Sequence, residues 1–271
     1  MEETVERALA EDLGPGDVTS KIVVPADATA RARIEQKGPG VIAGLDVARE
    51  TFRQVDSSLS FEVWTHEGEW RDHGPVARIE GSARSILAAE RVALNFLGRL
   101  SGVATMAARY VQAVEGTRAR ILDTRKTTPG LRELEKQAVR VGGAFNHRFG
   151  LFDAILVKEN HSALAGGVAQ ATALAVDRAP SSMLVVVECQ TLAEVDEALG
   201  AGATHILADN MQLDELRETV ERSAGRASVE ASGGVDLDTV RGIAETGVDY
   251  ISVGALTHSA PAVDLSLLLY T

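Results

Sequence analysis

"LVVVECQTLAEVDEALGAGATHILADN", residues 184–210, decides the fold. Its first five residues are an apolar, β-branched run ending in a carboxylate, the pattern of a short strand buried on both faces. TLAEVDEALGAG follows with apolar residues at helical spacing and stops at glycine. HILADN is a second apolar run with a polar end. A strand, a crossover helix and a second strand make a parallel pair with a right-handed connection.

The same unit recurs on both sides of this stretch. Residues 119–126 (ARILDTRK), 154–160 (AILVKEN), 227–234 (ASVEASGG) and 249–255 (DYISVGA) are further short apolar runs with polar or glycine ends. Six such strands separated by helices predict a barrel or a doubly wound sheet. The first hundred residues have another texture. An opening helix is closed by Gly14-Pro15-Gly16. Strand-like runs follow at 30–36, 40–45, 59–70 and 75–82, and a helix is expected over 85–114. A domain boundary is expected near Ser101-Gly102, giving an N-terminal domain over 1–101 and a catalytic domain over 102–258. The tail 259–271 is free to pack back on the first domain.

Composition narrows the function. The chain has 271 residues, 45% hydrophobic and 24% charged, an ordinary globular make-up. A formal charge of −12 and 4% aromatic residues argue against binding nucleic acid. The single cysteine, Cys189, forms no internal disulfide and reads as a buried small hydrophobe. The opening segment is acidic and helical, unlike a targeting peptide, and no apolar run reaches the ~20 residues of a membrane span. A cytoplasmic protein is expected.

The chemistry gathers where barrel strands end. Those ends offer Asp123, Arg125 and Lys126; Lys158, Glu159 and Asn160; Glu188; Asp209 and Asn210; Glu230 and Ser232. Residues 123–148 (DTRKTTPGLRELEKQAVRVGGAFNHR) carry six Lys and Arg against three Asp and Glu, in a chain that is acidic overall. Arg132, Lys136 and Arg140 read as a solvated helix face, with Glu133 and Glu135 pairing locally. Arg125-Lys126 and His147-Arg148 lie outside that helix and suit a ligand with several anionic groups. Glu188 and Asp209, on adjacent strands, could hold Mg²⁺ with substrate phosphates, bind sugar hydroxyls, stabilise a developing cation, or pair with nearby lysines and arginines. Ser232-Gly233-Gly234 and Ser252-Val253-Gly254-Ala255 are candidate phosphate cradles where helices begin. The sum is a site for a sugar phosphate and a multiply anionic partner.

At these residues the chain resembles the quinolinate phosphoribosyltransferase family, nearly end to end. The resemblance runs through EDLGPGDVTS (11–20), GVIAGL (40–45), ERVALNFLGRLSGVAT (90–105), the whole 123–148 window, LVKENH (156–161), ADNM (208–211), EASGGV (230–235) and GVDYISVGALTHS (247–259). It implies an N-terminal α/β open sandwich and an irregular six-stranded α/β barrel. It also implies a homodimer with the active site at the subunit interface. The implied enzyme is a pentosyltransferase of NAD biosynthesis that joins quinolinate to phosphoribosyl pyrophosphate, with Mg²⁺. Carried over by position, Arg125, His147, Arg148 and Lys158 bind quinolinate, and Arg91 comes from the neighbouring subunit. Lys126 serves the pyrophosphate; Glu188 and Asp209 serve the ribose and metal. Ser232, Gly233, Gly254 and Ala255 hold the 5′-phosphate. Lys126, Lys158, Glu188 and Asp209 form the implied catalytic set. Two positions depart from the family pattern: Val186 stands where an acid is common, and Ala208 where leucine is.

Three competing readings remain. One is a diverged paralogue, such as the related protein encoded with some molybdenum transporters, and another a non-catalytic phosphometabolite-binding protein. The third is a Schiff-base lyase with Lys158 as nucleophile, which would not need so many arginines.

Overall fold

A computed structural model of the chain describes residues 1–270. It divides into two compact units, Met1–Ala108 with Thr127–Gly143 and the residues from Ser259, and Arg109–Lys126 with Ala144–His258.

The first unit is built on an antiparallel sheet. Its strands are β1 (Thr29–Gln36), β3 (Ser60–Val63), β5 (Gly74–Ser82) and β12 (Leu265–Tyr270), in the order β12-β1-β5-β3. A separate two-stranded ribbon pairs β2 (Gly40–Val41) with β4 (Trp70–Arg71). Alternation explains the register of β1. Ala32 and Ile34 are buried on one face, while Arg31 and Arg33 face water. That apolar face packs with Ile79, Phe52, Ile86 and Leu97 into the unit's core.

The apolar run 40–45 is not one strand. Only Gly40–Val41 is extended, and Leu45 begins a helix, Leu45–Val55. Its start is capped from a distance, since Glu67 accepts the backbone N–H groups of Gly44 and Leu45, each at 2.7 Å. Likewise 59–70 is two short strands separated by a turn. The long helix runs Ala83–Ala113, with Ser101 and Gly102 inside it.

The second unit is the α/β barrel. Its parallel strands are β6 (Arg120–Leu122), β7 (Ile155–Val157), β8 (Val185–Cys189), β9 (His205–Asp209), β10 (Ser228–Ser232) and β11 (Tyr250–Ser252). They are ordered β6-β11-β10-β9-β8-β7. The first strand lies beside the last, as in a barrel, but no ladder joins β6 to β7 among the described residues, which makes the barrel irregular. Helices at 159–165, 168–178, 192–200 and 213–223 form the crossovers. Thr191 and Glu194 close the third of these with a reciprocal capping box.

Candidate active site

The two ends of the cationic window meet through the sheet. Phe145 pairs in parallel with Leu122, on the edge of β6 that β11 leaves open. Asp123 N–H donates to Phe145 O at 3.0 Å, and Phe145 N–H to Ile121 O at 2.9 Å. The buried Asp123 carboxylate then accepts the His147 backbone N–H at 2.8 Å and the Asn146 side chain at 2.7 Å. Arg125-Lys126 and His147-Arg148, over twenty residues apart in sequence, thereby share one rim.

That rim belongs to a cavity of about 330 Å³ at the C-terminal ends of the barrel strands. Lys158 enters it from β7, Glu188 from β8, Asp209 from β9, Glu230 and Ser232 from β10, and Ser252 from β11. Residues from all six strand ends can line one cavity only because the parallel sheet curls. Four permanent cations (Arg125, Lys126, Arg148, Lys158) face three carboxylates there. Burial, and then the neighbouring Arg125, push the Arg148 guanidinium below its usual range, against the pull of Asp153. Two guanidinium groups held close enough to repel each other form a site that a dianion stabilises. Arg148 is steadied from behind by Ala154 O, at 3.1 Å.

Lys158 Nζ lies 2.5 Å from Glu188 Oε2. The pairing of acid with lysine therefore holds for Glu188. Asp209 instead accepts from the Asn210 side chain at 2.9 Å. Asn210 is the one non-glycine residue at positive φ among those described, at 57°. Its side chain fills the space a Cβ on Gly233 would need, 2.2 Å from the nearest atom. Gly254 similarly gives way to His258 and Lys126, whose Nε2 and Cδ would lie 3.0 and 3.2 Å from an added Cβ. The Lys126 carbonyl accepts from Thr257 at 2.8 Å. Ala255 opens the short helix Ala255–His258 directly after Gly254.

Arg125, Lys126, His147, Arg148, Lys158, Glu188, Asp209 and Ser232 thus line one cavity, and Gly233, Gly254 and Ala255 adjoin it in sequence. Arg91 is exposed on the Ala83–Ala113 helix of the other unit and is not among the lining residues. Val186 lies one step below Glu188 on the same face of β8, fully buried and paired with Leu156. Ala208 is on the face of β9 opposite Asp209.

Two expectations are corrected. Glu135 and Lys136 are not on a solvated face: both are buried, at 0% and 2% exposure. Glu135 accepts from Arg99 Nε and Nη2 at 3.0 and 2.8 Å, and from the Thr128 N–H and hydroxyl at 3.0 and 2.7 Å. Arg132 reaches Thr127 Oγ1 at 3.0 Å, and of the three cations only Arg140 is exposed. Second, no helix begins at Ser232-Gly233-Gly234; the next one starts at Val240.

The sequence placed Glu230 at a strand end and Ser252 in a candidate cradle but gave the Glu230 carboxylate and the Ser252 hydroxyl no part of their own, and it did not single out His205 behind them. Glu230 is 0% exposed. Burial works to raise its pKa, but the His205 hydrogen bond, the nearby His147 and the Ser252 hydroxyl outweigh it and hold the carboxyl below its usual range. A glutamate between valine and alanine in the middle of a five-residue strand was the available signal.

For the implied Mg²⁺, among the described residues no group of three or more His, Cys, Asp or Glu side chains is arranged to hold a metal ion. Glu188 and Asp209 at neighbouring strand ends fit an ion that takes one or two carboxylates and completes its shell with substrate phosphates and water.

Family profiles match both parts of the chain: quinolinate phosphoribosyl transferase, N-terminal domain, over residues 17–101, and C-terminal domain, over 103–268. The chloroplastic nicotinate-nucleotide pyrophosphorylase (carboxylating) of Oryza sativa subsp. japonica is 43% identical, covering 100% of this chain and 78% of its own length. The probable nicotinate-nucleotide pyrophosphorylase (carboxylating) of Bacillus subtilis strain 168 is 40% identical, covering 95% of this chain and 89% of its own. The solved nicotinate-nucleotide pyrophosphorylase from Francisella tularensis superposes with a TM-score of 0.95 at 38% identity, over 99% of this chain and 95% of that one.

Proposed function

The chain belongs to the quinolinate phosphoribosyltransferase family, and from that premise we propose that it makes nicotinate mononucleotide for NAD synthesis. Quinolinate and phosphoribosyl pyrophosphate are the substrates; pyrophosphate and carbon dioxide leave. The observation that carries this reading is the crowding of Arg125 and Arg148 beside His147 at the barrel mouth. A dicarboxylate relieves their repulsion.

Arg125, Arg148 and His147 would hold quinolinate with its ring nitrogen in line with the anomeric carbon. The nitrogen lone pair forms the new C–N bond as the C–O bond to pyrophosphate breaks. Glu188 and Asp209 would support the positive charge that develops on the sugar, by fixed electrostatics. Lys126 would draw on the departing pyrophosphate. Ser232, with the backbone at Gly233, Gly254 and Ala255, would take the 5′-phosphate. Ribosylation leaves the ring nitrogen cationic. The bond to the adjacent carboxylate then breaks, carbon dioxide departs, and the electron pair left on the ring carbon is stabilised by that cation until a proton replaces it. Mg²⁺, held by Glu188 and Asp209 with the substrate, would neutralise pyrophosphate charge.

A Schiff-base role for Lys158 has less support. Its ammonium is engaged by Glu188 and its side chain is 47% exposed, unlike a desolvated nucleophilic lysine. A cytoplasmic location is part of the proposal. Among the described residues no helix is long and apolar enough to cross one.

The proposal includes a homodimer in which Arg91 of a second copy completes the quinolinate grip. Arg91 is exposed, and Leu151 and Phe152, each 73% exposed, are side chains of the type a second copy covers. Inactive Arg91→Ala and Lys158→Ala proteins, mixed under confirmed subunit exchange, should regain partial activity; no recovery contradicts the shared site. The reaction itself is tested by carbon dioxide release from carboxyl-labelled quinolinate. Release should require phosphoribosyl pyrophosphate, and a folded protein that releases none contradicts the reading.

A further inference from the structure

Glu230 lies inside the barrel, and its two oxygens face different neighbours. Oε2 meets His205 Nε2 at 2.9 Å. Oε1 accepts the Ser252 hydroxyl and lies 3.5 Å from His147 Nε2. Behind it, His205 Nδ1 meets Ser228 Oγ at 3.0 Å, and the His205 ring stacks on Tyr250, with centroids 5.5 Å apart. A polar column therefore runs Ser228–His205–Glu230 and reaches the mouth at Ser252 and His147. The partner of Glu230 on the neighbouring strand β9 is the apolar, buried Leu207. Burying a carboxylate in such a place is costly unless it is fully bonded, and the proposed chemistry uses neither Glu230 nor His205.

The His147 ring shows what the column does. Its Nδ1 accepts the Arg148 backbone N–H at 2.7 Å. A neutral imidazole whose Nδ1 accepts carries its hydrogen on Nε2. Nε2 is the nitrogen that faces Glu230, and a carboxylate only accepts. Contacts on opposite sides of the ring thus specify the same tautomer.

We propose that Glu230, backed by His205, is a positioning residue that fixes His147 as the Nε2–H tautomer, so that a carboxylate of the pyridine substrate meets a donor already in place. The inference rests on the reading that this cavity takes quinolinate. At 3.5 Å the Glu230 contact is longer than a normal hydrogen bond. The substrate can take the hydrogen without breaking a strong one. His205 holds Oε2 from the far side and keeps Oε1 turned toward His147.

Glu230→Gln keeps the shape but has one acceptor oxygen, so it cannot accept on both sides. The test pairs ¹⁵N spectra of the histidine rings at pH 8, with His147 assigned by loss of its signals in His147→Asn, with steady-state kinetics. In the unmodified protein His147 should be protonated on Nε2. In Glu230→Gln that signature should shift, and the KM for quinolinate should rise about tenfold while that for phosphoribosyl pyrophosphate changes little. A His147 protonated on Nδ1 in the unmodified protein overturns the proposal. So does a Glu230→Gln protein with unchanged tautomer and unchanged quinolinate KM. If Glu230→Gln does not fold, His205→Asn should give the same selective rise, smaller in size, and an unchanged KM there counts against it. Unmodified protein that never turns over quinolinate overturns the functional reading itself; normal turnover with an unaffected Glu230→Gln overturns only the positioning role.

Discussion

Cys189 is fully buried on β8, and its thiol is pushed up to about 12, first by burial and then by the carboxylates Glu194, Glu188 and Glu197. A thiol with that pKa is neutral at pH 8, with a thiolate fraction on the order of 10⁻⁴. Thiol-specific reagents should react with the folded protein slowly and with the denatured protein at the rate of free cysteine. Fast native labelling would contradict the burial. Glu135 is a different kind of buried acid. It accepts four hydrogen bonds from Arg99 and Thr128. Glu135→Ala takes the carboxylate from Arg99 Nε and Nη2, in a guanidinium that is a quarter exposed, and should cost about 3 kcal/mol, read from the denaturation midpoint. At this scale the sequence was only partly legible. Cys189 could be judged from its own apolar run. Glu135 could not, because its partner Arg99 lies 36 residues away and nearer cations offered a local pairing. Glu230 is the same case, since its burial depends on His205 and Ser252 from the flanking strands.

Elements were legible where their signals are local. The six barrel strands each carry an apolar run with a polar end, and every one formed close to its expected place. The Leu45–Val55 helix did not declare itself, although its face is strongly amphipathic. Its residue before the first turn is Gly44, at φ 94°, and the cap comes from Glu67, 22 residues on. The long helix carries a second non-local fact. A Cβ at Gly102 would lie 2.1 Å from Pro261 O, and one at Gly98 would lie 3.1 Å from Val263 O. These glycines let the backbone before β12 lie against the helix, where Arg99 Nη1 also donates to Ala260 O at 2.9 Å. Gly102→Ala should therefore destabilise the protein by about 1–3 kcal/mol. Amide exchange in Leu265–Tyr270 should speed up more than in the barrel strands. Equal protection would show that the close approach is not needed.

For the whole molecule, the overall charge of −12 hid the feature that matters. The 123–148 window is cationic within that acidic chain, and its ends are brought together by the Leu122–Phe145 pairing, which no local pattern announces. The resemblance supplied those site residues because the motifs are specific; spacing alone reached a polyanion site and stopped. Folded, Arg125 and Arg148 line the barrel mouth together with the carboxylates Glu188 and Asp209 at the ends of β8 and β9. The most direct measurement of that claim is the kcat/KM for quinolinate of Arg148→Ala, with folding confirmed by an unchanged thermal transition. A lost charge-assisted contact to the substrate should lower it about a hundredfold. Near-normal turnover at low quinolinate would contradict it and would place the dicarboxylate grip elsewhere.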